Sequence, residues 1–160
     1  MSYSISLLLY QDRPAYGSLL KLIILIVPGG LLIASIYLLL SGENIGGLAL
    51  LVETFIVGLI LWFVFPRRYQ VYEDHIRVVL GGPFSVKVGF AKIETIRVTN
   101  RFILSVNLVT KLTKSYVEIA KRKGLPIAIT PSDSDLFVEN AARALSQWIK
   151  TSTEYRPIEK

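Results

Sequence analysis

The side chains that could carry out chemistry are few in this sequence. It contains a single histidine, His75, and no cysteine. A nucleophile activated by histidine would have to use His75, which follows Glu73 and Asp74 and lies far along the chain from any serine in a strand-to-helix turn. The lack of cysteine excludes disulfides, thiolate catalysis and cysteine-bound metal clusters. We therefore predict no catalytic residue and no metal site, and interpret His75 as an exposed turn residue.

The paired carboxylates of the chain also fit structural positions. Glu73 and Asp74 suit a tight turn. Asp133 and Asp135 suit the first turn of a helix, where negative charge is stabilised by the helix dipole. Neither the P-loop motif nor the glycine motif of dinucleotide-binding proteins occurs. The sequence therefore predicts a protein that is not an enzyme and that binds no cofactor.

Glu53 is the one ionisable side chain in the middle of a long apolar run. A carboxyl group inside a membrane is costly, so such a residue is a functional hypothesis by default. In a helical hairpin centred near Asn44, Glu53 would lie opposite Ser35 and close to Tyr37. Three alternatives follow: a carboxyl group within two turns of the outer surface that is protonated or bonded to Ser35 or Tyr37, a contact with a helix of a partner subunit, or a component of a transporter or enzyme that works through Glu53.

Two apolar runs, Leu19–Leu40 and Leu48–Phe65, must position Glu53, and the polar break SGENIGG separates them. The first run would form a helix about 33 Å long, enough to cross a hydrocarbon core of roughly 30 Å. The second is near the lower length limit for spanning, and residues 45–47 could extend it. The sequence predicts a transmembrane helical hairpin over residues 19–65.

The first apolar run carries Pro28, Gly29 and Gly30 in its middle. Neighbouring helices can satisfy the backbone groups that proline frees in a membrane, so a helix tolerates this sequence there. Glycines at such a position let another helix approach closely. We expect a kink at Pro28 and a helix-packing contact at the two glycines.

Basic residues flank both predicted spans. Arg13 and Lys21 lie at the start of the first span and Arg67 and Arg68 follow the second, whereas the connecting loop has only Glu43. The positive-inside rule therefore predicts an integral plasma-membrane protein with two spans and both termini in the cytoplasm.

Residues 1–18 precede the hairpin and have no basic start and no signal-peptide pattern. Tyr10 and Tyr16 suit the depth of the lipid headgroups. We interpret this segment as interfacial or disordered.

The rest of the chain is basic, with a net charge of +7 over residues 66–160 against −1 over residues 1–65. A dispersed excess of this size also fits an ordinary soluble surface. Aromatic side chains at alternate positions are missing near the basic residues, which argues against single-stranded nucleic acid as the partner. The candidate patch for an anionic lipid or a negatively charged partner comprises Lys111, Lys114, Lys121, Arg122 and Lys123.

From Arg67 onward the apolar residues alternate, as in β-strands. The first two strands are separated by the turn at Glu73 and Asp74, and four residues in them are predicted core positions: Val71, Ile76, Val78 and Leu80. Four residues of the next strand share one face: Phe84, Val86, Val88 and Phe90. We predict about seven short antiparallel strands in a barrel or sandwich.

The last regular element has helical periodicity. Ser132 with Asp135 three residues later resembles a capping box at its start. One face is predicted to be apolar: Phe137, Ala141, Ala144, Leu145 and Trp148. We therefore predict an α+β domain over residues 66–150, capped by one helix, and a frayed tail over residues 151–160.

Three segments resemble a known family. RYQVYEDHIRVVLGG resembles the opening hairpin of bacterial pleckstrin-homology-like (PH-like) domains, and FSVKVGFAKIETIRV resembles the segment that follows it. ITPSDSDLFVENAARAL resembles the closing strand and helix of that fold. Many membrane members of the family also carry two spans before the domain, so the resemblance covers residues 19–150. It implies a PH-like fold that acts as an interaction module without catalysis.

The lipid site of the family does not carry over. Eukaryotic relatives bind phosphoinositides through Lys and Arg clustered on the first hairpin, whereas this hairpin offers Arg77 and, beyond it, Lys87, and its turn is acidic. Our leading hypothesis is a membrane-anchored interaction module, either an accessory subunit that binds another membrane protein or a homo-oligomer. The alternative is a sensor of anionic lipid headgroups that acts through the basic turns.

Overall fold

The structure, a computed structural model, describes residues 6–100, 105–111, 113 and 115–154. Two long helices, α1 (Ser18–Leu40) and α2 (Asn44–Val64), form a hairpin whose outer end is the turn at residues 41–43. Both helices were predicted, but α2 begins before Leu48 because the glycine-containing segment continues the helix. Helix α1 runs through Pro28 without interruption.

Both helices are long and apolar enough to cross a membrane. Only 6% of the most apolar window of each helix is buried inside the protein, whereas a core helix of a soluble domain would be mostly buried. The helices are tied together near the outer end, where the Ser35 hydroxyl donates a hydrogen bond of 2.7 Å to the carbonyl oxygen of Gly47. The exposed apolar surface of the hairpin therefore calls for a membrane, a partner or both.

The chain after the hairpin forms the first part of a two-sheet domain. Three strands pair as antiparallel neighbours: β2 (Arg68–Tyr72), β3 (His75–Val79) and β4 (Ser85–Gly89). Tyr69 and Val71 alternate with polar residues and point into the core, as strand periodicity requires.

A further strand, β1 (Leu8–Asp12), lies on the edge of this sheet and pairs antiparallel with Arg68–Tyr72. The prediction that residues 1–18 are interfacial or disordered is therefore wrong for Leu8–Asp12. These residues are ordered by a strand that follows them only after the whole hairpin, so no local signal marked them. Tyr10 faces the core and packs edge-to-face on Phe137, with ring centroids 6.2 Å apart.

The second sheet contains four strands and follows a 3₁₀ turn at Phe90–Lys92. Its strands in chain order are β5 (Ile93–Thr99), β6 (Val106–Leu108), β7 (Tyr116–Lys121) and β8 (Ile127–Ile129). The spatial order is β5-β7-β8-β6, and β6 runs parallel to β8. The expectation of antiparallel strands is thus wrong at this edge of the sheet. Strand β6 lies on the side of β8 that β7 leaves free, and there it runs parallel to β8. The seven strands expected after the hairpin are present.

Helix α3 (Ser134–Glu154) closes the domain and extends past the predicted end at residue 150. Its cap is Asp133, whose carboxylate accepts a hydrogen bond of 2.9 Å from the amide of Leu136. The predicted cap, Ser132, instead bonds to the carbonyl oxygen of Arg13 at 3.0 Å.

The predicted apolar face of α3 packs on the sheets, with Phe137, Ala141 and Ala144 buried and Leu145 and Trp148 partly buried. The remaining buried hydrophobic core consists of Tyr69, Val71, Ile76, Val78, Val88, Phe90, Ile93, Val117, Ile119, Ile127 and Ile129. Of the predicted core positions, Leu80 is only partly buried. Among the four residues predicted to share one face of the next strand, Val86 is partly buried and Phe84 is 53% exposed.

Candidate membrane and partner surfaces

Glu53 is exposed on α2, and the predicted bonds to Ser35 or Tyr37 are not formed. The Ser35 hydroxyl instead donates its hydrogen bond to the carbonyl oxygen of Gly47, and the Tyr37 side chain is 69% exposed. Among the residues that the structure describes, Glu53 makes no hydrogen bond and no ion pair. The alternative in which Glu53 is bonded to Ser35 or Tyr37 is therefore wrong, whereas a protonated carboxyl group at this position stays a prediction.

The register of the hairpin explains this difference. Because Ser35 lies level with Gly47, six residues further along each helix Gly29 lies level with Glu53. Glu53 is nine residues after the start of α2 at Asn44 and eleven before its end at Val64. The carboxyl group is thus at the middle of the span and not near the outer surface, the depth at which an ionisable group is most costly in a membrane.

The glycines of the first span are not used for packing within this chain. A Cβ atom placed on Gly29 or Gly30 would meet no atom within 4 Å. The close contact is made by Gly47 instead, where a Cβ atom would lie 2.6 Å from Cγ of Leu39. Sequence reasoning missed this residue, although small residues are the usual signal of close helix packing. A contact of Gly29 and Gly30 with a helix of another chain stays a prediction.

The four basic residues that flank the spans lie together at the inner end of the hairpin, the end next to the domain. Arg13, Lys21, Arg67 and Arg68 are all exposed. The guanidinium of Arg67 lies 4.0 Å from the centroid of the Trp62 ring, a cation–π contact. This arrangement is the one expected where spans leave the apolar layer and meet headgroups.

The hairpin is docked directly on the turn that joins β3 and β4. Gly81 passes so close to Trp62 that any Cβ atom would collide with the carbonyl group of Trp62. Gly82 has a φ angle of 63°, which suits glycine, and lies against the ring of Phe63. Phe63 in turn packs edge-to-face on Phe84 with ring centroids 5.4 Å apart. These contacts explain why Phe84, predicted to share a face with Val88 and Phe90, lies against the hairpin.

The segment that leads into α1 is fixed to the second sheet by three hydrogen bonds to Thr110 and Thr130, and a further bond joins these two threonines. The amide of Ala15 donates to the carbonyl oxygen of Thr130 at 2.8 Å, and the amide of Gly17 donates to the carbonyl oxygen of Thr110 at 2.9 Å. The hydroxyl of Thr110 donates to the carbonyl oxygen of Ala15, and the amide of Thr110 donates to Oγ1 of Thr130. Both threonines are buried, so the entry to the hairpin is held as firmly as its exit.

The hydroxyl of Tyr69 lies next to this segment and donates to the carbonyl oxygen of Leu108 at 3.0 Å. Burial raises the pKa of Tyr69 to about 12, although hydrogen bonding with Thr130 and Thr110 acts in the opposite direction. The hydroxyl stays neutral and donates a hydrogen bond to the carbonyl oxygen of Leu108, which is a structural role.

The candidate basic patch is divided. Lys111 lies beside Gly17 at the inner end of the hairpin, with its Cα atom 3.3 Å from the Cβ position of Gly17. Lys121 is the last residue of β7, about 17 Å along the strand from its start, and Arg122 and Lys123 follow it. The structure therefore does not bring Lys111 together with the other three, and Lys114 lies outside the described residues. The basic turn at 121–123 points away from the side of the domain on which the hairpin lies.

His75 is mostly covered, with 14% of its side chain exposed, so its interpretation as an exposed residue is wrong. Its ring stacks on Tyr72 with centroids 4.5 Å apart, and Nδ1 lies 2.6 Å from Oδ1 of Asp74. Partial burial alone would raise the pKa of Asp74, but hydrogen bonds with His75 and Ser6 outweigh it and lower that pKa below its ordinary value. The Ser6 hydroxyl adjoins this pair through Asp74. The described residues contain no cluster of three metal-binding side chains.

A cleft of about 520 Å³ opens between α1 and α2 at the inner end of the hairpin. We call it the inner cleft. Its walls include Ile24 and Pro28 from α1 and Gly58 and Leu61 from α2. Its mouth includes Arg13, Tyr16, Trp62 and Arg67. No local pattern in the sequence marks this cleft, because it depends on where the two helices separate.

Comparison with known families identifies the domain that carries the hairpin. The family model described as "Bacterial PH domain" matches residues 67–141. Comparisons with curated proteins and with solved structures gave no match. The matched segment runs from β2 into α3, and the family is generally non-enzymatic. Residues 67–141 match the bacterial PH domain family, and the two-sheet fold with its closing helix is consistent with a PH-like domain, here called the PH domain; it follows two helices that are long and apolar enough to cross a membrane.

Proposed function

We propose that this chain is a non-enzymatic accessory subunit of a membrane complex, in which the hairpin binds a helix of another membrane protein and holds the PH domain beside it. The single observation that carries this proposal is Glu53, which is exposed at the middle of α2 without a partner among the described residues. A carboxyl group at that depth is strongly stabilised by a hydrogen-bond donor or a basic group on a neighbouring helix.

The open glycines of α1 support the same proposal. Gly29 lies level with Glu53 in the register of the hairpin, and neither Gly29 nor Gly30 has a neighbour within 4 Å of its Cβ position. Small residues at mid-span let a partner helix come close enough for van der Waals contact. An anchor that only tethered a domain would need neither a polar group nor a notch at this depth.

The junction between hairpin and domain gives the proposed complex a defined geometry. Entry to α1 is fixed through Thr110 and Thr130, and the exit from α2 through Gly81 and Phe63. A partner that binds the hairpin would therefore also find the PH domain in one orientation. We infer that the domain presents a second contact surface to the same complex.

The test is site-specific photo-cross-linking in intact cells, with the photoreactive residue in place of Val52, next to Glu53. We expect a cross-link to a different membrane protein that persists in Glu53→Gln, which keeps a hydrogen-bonding group, and that is lost in Glu53→Leu. As a position control, the photoreactive residue replaces Ile26, which is exposed on the other helix, α1.

Two results would contradict the proposal. A cross-linked species with the mass of two copies of this chain would indicate a homo-oligomer instead of an accessory subunit. Equal cross-linking in Glu53→Leu and the unmodified sequence would remove the role of the carboxyl group.

We further propose that both spans cross the plasma membrane with both termini in the cytoplasm, as the basic residues at the inner end favour. Because the chain has no cysteine, single substitutions report cleanly on topology. We expect an impermeant thiol reagent to label Ser41→Cys in intact cells and to label Lys123→Cys only after the cells are opened. The reverse pattern would invert the orientation.

A further inference from the structure

The inner cleft exists because the two helices separate toward the domain. They are closed at Ser35 and Gly47, and eleven residues further along each helix Ile24 lies level with Gly58. Gly58 has no side chain, and nothing lies within 4 Å of its Cβ position. Pro28, on the opposite wall, lacks an amide hydrogen and so leaves the carbonyl group of Ile24 without its usual helical donor. Glycine on one helix and proline on the other thus leave an open space between them.

The chemistry of the cleft changes along its length. The deep part is lined by Ile24, Pro28, Gly58 and Leu61, which offer apolar walls. The lining contains two charged residues, both of them arginines at the mouth, and no carboxylate among the described residues.

The mouth itself is partly ordered. The guanidinium of Arg67 is held over the ring of Trp62, and the hydroxyl of Tyr16 donates to the carbonyl oxygen of Pro66 at 2.5 Å. Arg13 lies four residues before Gly17 at the same end, where its carbonyl oxygen is tied to Ser132. A ligand with an anionic group at the mouth and an apolar portion below it would match this arrangement.

The depth of the cleft matches one leaflet of a bilayer. From Ser18, at the start of α1, to Pro28 the helix rises about 15 Å, which is half of a hydrocarbon core of roughly 30 Å. A partner helix would need a groove along the whole span, and the contact at Gly47 closes the groove at the outer end. A lipid of the inner leaflet needs only the half that is open.

We propose that the inner cleft binds one anionic phospholipid, with its phosphate between Arg13 and Arg67 and one acyl chain between Gly58 and Ile24. The cleft volume of about 520 Å³ is that of an ordinary ligand pocket. This site lies where the inner end of the hairpin meets the domain, and Glu53 is not part of its lining. The interaction of the hairpin with the membrane would then depend on the headgroup of the bound lipid.

The test uses the fluorescence of Trp62, which lines the mouth. The full chain carries Trp148→Phe, so that Trp62 is the only tryptophan, and is reconstituted in phosphatidylcholine vesicles that contain a small fraction of brominated lipid. Bromine quenches tryptophan on contact. We expect brominated phosphatidylglycerol to quench Trp62 far more than the same fraction of brominated phosphatidylcholine, with an enrichment at the site of roughly thirtyfold for two basic groups.

Two pairs of matched variants separate the cleft from general attraction to the surface. Arg13→Gln with Arg67→Gln should abolish the preference for phosphatidylglycerol. Lys21→Gln with Arg68→Gln removes the same charge from the same end of the hairpin but spares the cleft, and should keep the preference.

Gly58→Leu fills the cleft and should abolish the preference, whereas Gly30→Leu, also at an open glycine but outside the cleft, should keep it. Circular dichroism confirms that each variant is folded. Equal quenching by the two brominated lipids, or equal loss in both double variants, would overturn the proposal. Quenching by neither lipid together with a Trp62 signal that depends on the protein-to-lipid ratio would assign the cleft to a second copy of the chain and would also overturn it.

Discussion

The hairpin and the PH domain bury their apolar residues in opposite ways. In the domain, large side chains such as Tyr69, Phe90 and Phe137 are almost completely buried between two sheets and a helix. In the hairpin, Ser35 and Gly47 are the buried residues among those that the structure describes, and most of the apolar side chains are exposed. The domain supplies its own apolar environment, whereas the hairpin depends on its surroundings. A substitution should therefore act on one region and leave the other intact, and three predictions test this separation.

The largest effect is expected from Phe137→Ala, which would open a cavity where α3 meets Tyr10 and Tyr69. We expect the free energy of unfolding of the domain to fall by about 3–5 kcal/mol. Chemical denaturation followed by circular dichroism in the β-sheet region measures it. Leu136→Ala, at a neighbouring residue that is 43% exposed, is the control and should change much less. Loss of helical signal from the hairpin in Phe137→Ala would show that the two regions are not separate.

A smaller effect is expected from Gly47→Val, because a Cβ atom there would lie 2.6 Å from Cγ and 3.0 Å from the amide nitrogen of Leu39. Overpacking of this kind destabilises by about 1–3 kcal/mol. We expect the two helices to move apart at the outer end, seen as a longer distance between spin labels at Ile33→Cys and Leu48→Cys.

Gly46→Val is the matched control for this hairpin substitution. The Cβ position of Gly46 makes only ordinary contacts, with Leu38 at 3.7 Å and Glu43 at 3.8 Å. The distance between the labels should stay unchanged in this variant, and the unfolding of the domain should be unaffected in both. A shift of similar size in the two variants would argue against the Ser35–Gly47 contact as the closure of the hairpin.

The smallest effect is expected at the turn of the first hairpin of the domain. The pKa of Asp74 is lowered in the folded protein, so its contribution is present above the ordinary carboxyl pKa and is lost as the pH falls through the folded value. Because the carboxylate is 54% exposed, solvent screening limits the contribution to about 0.5 kcal/mol.

Unfolding by urea from pH 6 to pH 2 checks this sign. The difference between the unmodified sequence and Asp74→Asn should be greatest at pH 6 and should vanish at the acid end. Glu73→Gln removes one negative charge from the same turn and serves as the control. A difference that grows toward acid would contradict the assignment.

Local periodicity was enough to predict much of the domain. The alternation around Val71, Ile76 and Val78 and the apolar face of α3 at Phe137 each depend on spacing within one element, so they could be read from the sequence. Features that depend on distant segments could not. The pairing of Leu8–Asp12 with β2 and the parallel pairing of β6 with β8 have no signal within their own residues.

For the candidate sites too, the sequence predicted the residue types but not the distances between them. The depth of Glu53 was misjudged because the turn lies at residues 41–43, and a shift of a few residues there moves every residue of α2 relative to α1. The basic patch was misjudged because Lys111 and Lys121 follow strands whose ends lie on opposite sides of the domain. Residue types were informative about chemistry, whereas the distances between them were set by the fold.

Strand β1 has a consequence for how the protein is made. Leu8–Asp12 are synthesised before either span, but their partner Arg68–Tyr72 follows the second span. In the proposed two-span topology, the first strand waits unpaired until both helices and β2 have been synthesised. If only one of the two helices crossed the membrane, the two strands would end on different sides and the sheet could not be completed. Under that proposal, the pairing of β1 with β2 would distinguish a chain inserted as a hairpin from one in which a single helix crosses.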